Sequence, residues 1–311
     1  MSAESGTRAI IAALLANLGI AVTKLLAFLV SGSSSMLAES VHSLADSGNQ
    51  LLLLVGGRRS RRSATAEHPF GYGRERYLYA FVVSIVLFSV GGLFSVYEGI
   101  HKIRHPEELS NLLVPIVVLV VAIALESFSL RTAVVESNKV RRGQTWVQFV
   151  RRAKAPELPV VLLEDVGALV GLVLALMGVG LAAVTGASIW DGLGSVAIGG
   201  LLMGIAVVLG VETKSLLLGE GGSRGEVEAI TAAVLEVEAI ERVIHLKTLF
   251  LGPDELLVAA KISLRPDVSV AEVAAAINEA EMHIRTALSV ATVIYLEPDV
   301  FVASGEPAPE P

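Results

Sequence analysis

Within the stretch from Ser35 to Gln50, a histidine and an aspartate stand four residues apart, at His42 and Asp46, with Glu39 and Asn49 a turn to either side. The stretch runs straight into Leu51-Leu-Leu-Leu-Val-Gly-Gly57, so it reads as the first half of a membrane-crossing helix. At about 100° per residue, Glu39, His42, Asp46 and Asn49 fall within roughly 80° of one another. They form one polar stripe on an apolar rod. Ionisable groups in hydrocarbon are costly and mark ion pathways when they face a bundle interior or a water-filled cavity. An imidazole and a carboxylate one turn apart can reach the same cation. A polar contact between packed helices is the plainer use of these residues, and the spacing favours metal transport.

Elements able to position such a stripe are plentiful. Six apolar runs are long enough for a ~30 Å hydrocarbon layer: about Ala9 to Val30, Met36 to Gly56, Tyr77 to Ile100, Leu112 to Val135, Leu158 to Val184 and Trp190 to Val211. The first is interrupted by Asn17 and Lys24, the fourth holds Glu126, the fifth carries Glu164-Asp165, and the sixth has Asp191 near its start. Lys24 reads as a snorkelling or paired charge. Glu126 is either a contributor to the site or part of a buried polar network.

Composition agrees. With 311 residues, 53% of them hydrophobic, and a mean hydropathy of +0.67, the chain reads as an integral membrane protein. The net charge of −7 says little about partners, and no basic patch interleaved with aromatics points to nucleic acid. Cysteine is absent, so a metal must be held by nitrogen and oxygen. That disfavours cuprous ion and leaves zinc, manganese, iron(II), cobalt or nickel as the divalent cargo. No basic region followed by a small-residue cleavage site opens the chain, so the first apolar run is expected to be retained.

Orientation follows from lysine and arginine. The connection after the second run holds Arg58, Arg59, Arg61, Arg62, Arg74 and Arg76; the one after the fourth holds Lys139, Arg141, Arg142, Arg151, Arg152 and Lys154. The alternate connections are short and nearly uncharged. The positive-inside bias places both termini in the cytoplasm, in a plasma (inner) membrane.

Soluble sequence follows. Residues 1–218 form the membrane part, 219–225 a glycine-rich linker, 226–300 a small cytoplasmic domain, and 301–311 a proline-rich tail read as disordered. Helical period over Glu226 to Val237, strands over Val243 to Leu251 and Glu255 to Leu264, a helix over Ser269 to Leu288 and a strand from Ala291 to Leu296 give an αββαβ order. The fold class expected is a membrane α-helical six-helix bundle followed by a small α+β, ferredoxin-like domain.

This combination resembles the cation diffusion facilitator family, whose members export divalent metals, commonly zinc, usually against protons. The resemblance rests on six spans, the αββαβ tail, His42-x-x-x-Asp46, and the loop His68-Pro-Phe-Gly-Tyr-Gly-Arg-Glu-Arg76, and it covers about residues 8 to 300. Three strings resemble a narrower branch that includes the mitochondrial animal zinc transporter: Glu39-Ser-Val-His42-Ser-Leu-Ala-Asp46-Ser-Gly-Asn49-Gln50, Val160-Val-Leu-Leu-Glu-Asp165 and Asp191-Gly-Leu-Gly-Ser195.

The resemblance implies a four-ligand tetrahedral site, two ligands from the second span and two from the fifth. His42, Asp46 and Asp165 fit, but the fourth position falls on Val161. Either three protein ligands leave a position open to water, or Glu164 reaches the gap. Asn49 and Glu39 are candidates for fixing the His42 tautomer or lining the ion's path, and Glu126 is a further candidate for that path. Family metal positions elsewhere are depleted: Tyr72 replaces a histidine near His68, which reads as a loop cap. In the cytoplasmic domain, His245 matches a family ligand position, but the expected partner positions hold Ala259 or Ala260, Tyr295 and Glu297, so His245 reads as structural. That domain is expected to form a homodimer. Arg74 matches the basic residue that ties its loop to the end of the last span; with Leu218 at the acid position, Glu220 or Glu212 would receive it.

Taken together, the chain is expected to be a divalent-metal efflux transporter, most simply for zinc, working by alternating access and metal/proton antiport in membrane lipid. His42 is the natural proton carrier. Rival readings are a non-transporting dimeric sensor or scaffold, and a membrane metallohydrolase. The second lacks a His-Glu-x-x-His pair and a nucleophile elbow.

Overall fold

A computed structural model describes residues 2–31, 34–105, 113–141 and 143–299; side chains at 2–5, 27, 28, 30, 31, 34–42, 45, 113–115 and 291 lie outside that description. The tail at 301–311 also lies outside the described residues. In chain order the helices are α1 (Ser2–Ser31), α2 (Ser34–Arg59), α3 (Glu75–Val86), a π-helical segment (Leu87–Leu93), α4 (Phe94–Arg104), α5 (Leu113–Arg141), α6 (Trp146–Arg152), α7 (Glu157–Thr185) and α8 (Ile189–Leu218). Then come α9 (Arg224–Leu235), β1 (Ile240–Gly252), β2 (Glu255–Leu264), α10 (Val270–Ala287) and β3 (Ala291–Asp299). Two compact units result, one of residues 1–64 and 74–217, the other of 65–73 and 218–311.

Five stretches among the described residues are long and apolar enough to cross a membrane: 6–26, 75–104, 116–141, 157–185 and 189–218. The 26-residue α2 is the sixth long helix. Its polar stripe and terminal arginines keep it out of the apolar set. Helix α1 shows how the first unit is built. Ala9, Ala13, Ala16 and Ile20 line its buried face, while Leu15, Leu18, Val22 and Leu26 stand exposed. Small residues inside and large aliphatics outside is the pattern expected where lipid, not water, surrounds the bundle.

Between α8 and the third span, at the π-helical segment and α4, the backbones almost touch. A methyl group on Gly99 would come within 2.7 Å of the Gly192 carbonyl oxygen, and one on Gly199 within 2.7 Å of the Gly92 carbonyl oxygen. At Gly99 and Gly199 no side chain larger than hydrogen fits that seam. The third span was expected as one helix over Tyr77 to Ile100; its middle is instead the π-helical Leu87–Leu93.

At the opposite end of the third span, Arg76 and Glu157 join the starts of α3 and α7. Arg76 donates through Nε to Glu157 Oε1 and through Nη2 to Oε2 at 2.8 Å, and both residues are buried. Removing one partner of such a pair strands a buried charge, at about 3–5 kcal/mol. Arg76→Met is therefore expected to lower the melting temperature sharply, and the double variant Arg76→Met/Glu157→Leu to recover most of the loss. Equal melting of wild type and Arg76→Met would remove the pair from the account of stability.

The second unit is the αββαβ domain. Its sheet runs β1-β2-β3, with β1 antiparallel and β3 parallel to β2. Leu256, Val258, Ala260 and Ile262 alternate into the core with Phe250 of β1, Ile230 and Val234 of α9, and Ile284 of α10. Both helices open on capping boxes, Ser223 with Glu226 and Ser269 with Glu272. Residues 65–73 belong to this unit, because Gly73 lies against Leu251 and Gly252 at the β1–β2 turn. A Cβ on Gly73 would meet the Leu251 carbonyl oxygen at 2.7 Å.

Candidate functional site

Polar side chains inside an apolar bundle must satisfy one another. Here the satisfied network is centred on α7. Glu164 is buried and accepts from two neighbours on α2: Asn49 Nδ2 donates to Oε1 and Gln50 Nε2 donates to Oε2, each at 2.9 Å. Consecutive residues on α2 thus straddle one carboxylate. Asn17 Nδ2 of α1 donates to Gln50 Oε1 at 3.4 Å. Each carboxylate oxygen has two lone pairs, so one donor apiece leaves acceptor capacity on Glu164. Asn49 Oδ1 is buried with no hydrogen-bond partner among the described residues.

Asp165, the next residue, faces α5. Ser129 Oγ donates to its Oδ2 at 2.7 Å, and Glu126 lies in hydrogen-bonding reach of the same carboxyl. Glu126, Asp165 and Glu164 are all buried, and Glu126 is close enough to Glu164, Asp46 and Lys24 to interact electrostatically with each. Lys24 Nζ donates to Ser43 Oγ at 3.1 Å and is buried. Four carboxylates from α2, α5 and α7 therefore gather beside one ammonium.

A cavity of about 200 Å³ opens onto this cluster. Asp46, Glu126, Glu164 and Lys24 line one end of it. Glu98 and Lys102 of α4 and Ser195 of α8 line the other, where Lys102 pairs with Asp191 at 3.0 Å.

Of the residues the sequence singled out, Asp46, Asn49, Glu126, Glu164 and Asp165 come together. The side chains of His42 and Glu39 lie outside the described residues. Among the described residues, no group of three His, Asp or Glu side chains is arranged to hold a metal. Gln50 and Ser129 were not anticipated. The available signal was Gln50 next to Asn49 on α2 and Ser129 three residues beyond Glu126 on α5.

The remaining candidates fall elsewhere. Arg74 precedes α3, and the Glu220 carbonyl accepts from the Phe250 amide at 2.8 Å. Glu212 pairs with Arg151 at 3.5 Å. His68 closes its loop: its amide donates to Thr65 Oγ1, its carbonyl accepts from Gly71, and its ring meets the Tyr72 ring edge-on at 4.6 Å. On the sheet, His245, Lys261 and Glu297 stand in one row across β1, β2 and β3. The ammonium of Lys261 pairs with Glu297 at 3.2 Å and Asp299 at 2.8 Å, and these carboxylates push its pKa up. Lys261 thus stands between His245 and Glu297 in that row.

Six long helices among the described residues, holding an acidic cluster and joined to an αββαβ domain, define a class of membrane protein. The chain belongs to the cation efflux family: residues 10–218 match its "Cation efflux transmembrane domain" and residues 223–299 its "Cation efflux protein, cytoplasmic domain". It is a multi-pass membrane protein. Among its relatives is the "Proton-coupled zinc antiporter SLC30A9, mitochondrial" of Xenopus laevis, 35% identical over 71% of this chain and 40% of that protein. The Homo sapiens protein of the same name is 32% identical over 71% of this chain and 39% of its own length. "Metal tolerance protein C4" of Arabidopsis thaliana is 27% identical over 86% and 59% respectively. The chain thus spans well under two thirds of the length of these relatives.

Proposed function

We propose that this chain exports a divalent metal cation, zinc foremost, in exchange for protons, by alternating access in a plasma (inner) membrane with both termini cytoplasmic. The observation that carries the reading is the gathering of Asp46, Glu126 and Glu164 along one membrane cavity, with Asp165 buried beside Glu126. Carboxylates at that depth are costly unless a cation compensates them. His42, Asp46 and Asp165 hold the ion, with Glu164 as the fourth ligand, oriented by Asn49 and Gln50. Manganese, iron, cobalt and nickel suit the same nitrogen–oxygen donor set less selectively.

The direction of the cavity fits this scheme. It leads toward the α4–α8 end of the bundle, away from the arginine-rich connections. On the positive-inside reading that end is external, which is the side to which an exporter delivers its ion. Ligands must be deprotonated to bind metal, so protons arriving from outside compete with the ion and favour its release. The frog and human relatives are named as proton-coupled zinc antiporters, which agrees with this coupling. Purified protein in sealed liposomes should take up zinc only against a proton gradient, read by zinc- and pH-sensitive dyes. Zinc binding without flux would favour the sensor reading.

The cytoplasmic domain serves dimerisation. Truncation after Gly221 removes the whole sheet, including the turn on which Gly73 rests. Weaker dimerisation by analytical ultracentrifugation is expected, with zinc binding retained. Complete loss of binding in a folded truncated chain would move the principal site to the cytoplasmic domain.

A further inference from the structure

One concavity of the membrane unit has no part in the ion path. A groove of about 760 Å³ runs between α5, α7 and α8 beneath α6. Its walls are aliphatic: Leu130 and Val134 of α5, Leu163 and Val166 of α7, Val208 and Val211 of α8. Its rim is not. Arg151 of α6 and Glu212 of α8 stand at the mouth, with Trp146 and Val147 beside them.

We propose that this groove binds one anionic glycerophospholipid, with an acyl chain between the helices and the phosphate on Arg151. Length comes first. From Arg141, at the end of α5, to Leu130 is eleven residues, about 16 Å of helix at ~1.5 Å each. That is about half of a ~30 Å hydrocarbon layer, the depth of one leaflet.

The rim supplies the headgroup site. Arg151 approaches Glu212 at 3.5 Å through Nε, and its side chain is 71% exposed, so the five-donor guanidinium keeps capacity for a phosphate. The Arg141 guanidinium lies 4.2 Å over the Trp146 ring, which holds the indole at the membrane edge, where aromatic side chains favour the headgroup level. Val147, on the same short helix, is 67% exposed, which suits contact with lipid rather than water.

Charge selects among lipids. Residues 139–154 carry six lysines and arginines and no acid. A zwitterionic headgroup would bring its ammonium into that field, whereas a net-negative one brings only compensation. Basic pockets between membrane helices are recognised sites for anionic headgroups.

The test uses the full-length protein in detergent, incubated with equal amounts of phosphatidylglycerol and phosphatidylcholine, and native mass spectrometry of what stays bound. Phosphatidylglycerol should be retained in preference. Arg151→Gln should cut that preference about fivefold, taking about 1 kcal/mol for one basic side chain at an anionic surface; Arg151→Lys should keep it. Val208→Trp, which fills the groove, should remove the retained lipid while leaving the arginines in place. Equal retention of both lipids by the wild type overturns the proposal, as does retention that neither variant alters. If Val208→Trp leaves lipid bound but turns dimers into monomers, the groove is a contact between two copies and the proposal is wrong. Photolabelling of unmutated protein by phosphatidylglycerol with a diazirine in its acyl chain needs no variant to fold. Label is expected in peptides of α7 and α8 around Val166 and Val208. Label spread evenly onto the exposed face of α1 also overturns it.

Discussion

Asp46→Asn and Asp165→Asn are each expected to reduce metal flux in liposomes to near background while the protein stays folded. Asparagine keeps the shape of aspartate and removes the charge. Asp165 sits fully buried with Ser129 donating to it, and an amide oxygen at that position can accept the same bond. Stability should therefore hold, since a buried carboxylate is replaced by a neutral group that costs less to desolvate. Affinity cannot hold in the same way. Loss of an outer partner of a metal ligand typically costs about 10–100-fold, and loss of a ligand itself should exceed that. Flux against an imposed proton gradient, paired with thermal melting, separates a dead transporter from an unfolded one. Wild-type rates in both variants would take both residues out of the ion's path.

The second large effect concerns the fourth ligand. Glu164→Gln is expected to weaken zinc binding by about tenfold or more, because the ligand oxygen loses its charge and one amide donor loses its acceptor. Val161→His, one turn before Asp165, then competes with Glu164, and affinity stays level or falls. Val161 is fully buried, so the larger ring must displace its neighbours at about 1–3 kcal/mol, and melting has to be measured alongside. Val161→Asp, closer to valine in volume, is the companion. The opposite pattern would be equally clear. If Val161→His tightens binding and slows turnover while Glu164→Gln is silent, the native site has three protein ligands and an open position. Silence in both would shift attention to Asn49 and Glu126.

Much of the architecture was legible from periodicity. Most helix ends fall within a few residues of the apolar runs, though α1 starts seven residues before its run and α5 and α8 continue six and seven residues past theirs, where polar residues extend the helix beyond the apolar stretch. Ser223/Glu226 and Ser269/Glu272 are capping boxes readable from spacing alone. The stripe on α2 was visible for the same reason: one helix face is a local property. What escaped depends on partners distant in sequence. The embrace of Glu164 by Asn49 and Gln50 requires knowing which face of α7 meets α2. The Arg76–Glu157 pair joins positions eighty-one residues apart, and Arg76 was read only as one more charge of a basic connection. The short α6 was hidden because seven residues are too few for a periodic signal, although Thr145 and Gln148 form its capping box. Lys261 was overlooked as the resident cation beside His245, since strand register cannot be read from one strand.

The π-helical Leu87–Leu93 bears on how this span can change in length. A π-turn closes over five residues instead of four, so it takes up one residue more than an α-turn while keeping the helix axis. The residues beyond it keep the orientation that a helix one residue shorter would give them, and that orientation sets Gly99 against Gly192. Were the segment to relax into regular α-helix at its present length, Gly99 would turn by about 100° and a bulkier neighbour would swing toward α8. Deleting one residue from the segment would have the opposite result: the π-turn would become an α-turn and the seam would stay closed. Two homologous chains therefore need not have the same number of residues between Ser84 and Gly99. A one-residue gap placed there in an alignment corresponds to a real exchange of one helical turn for another.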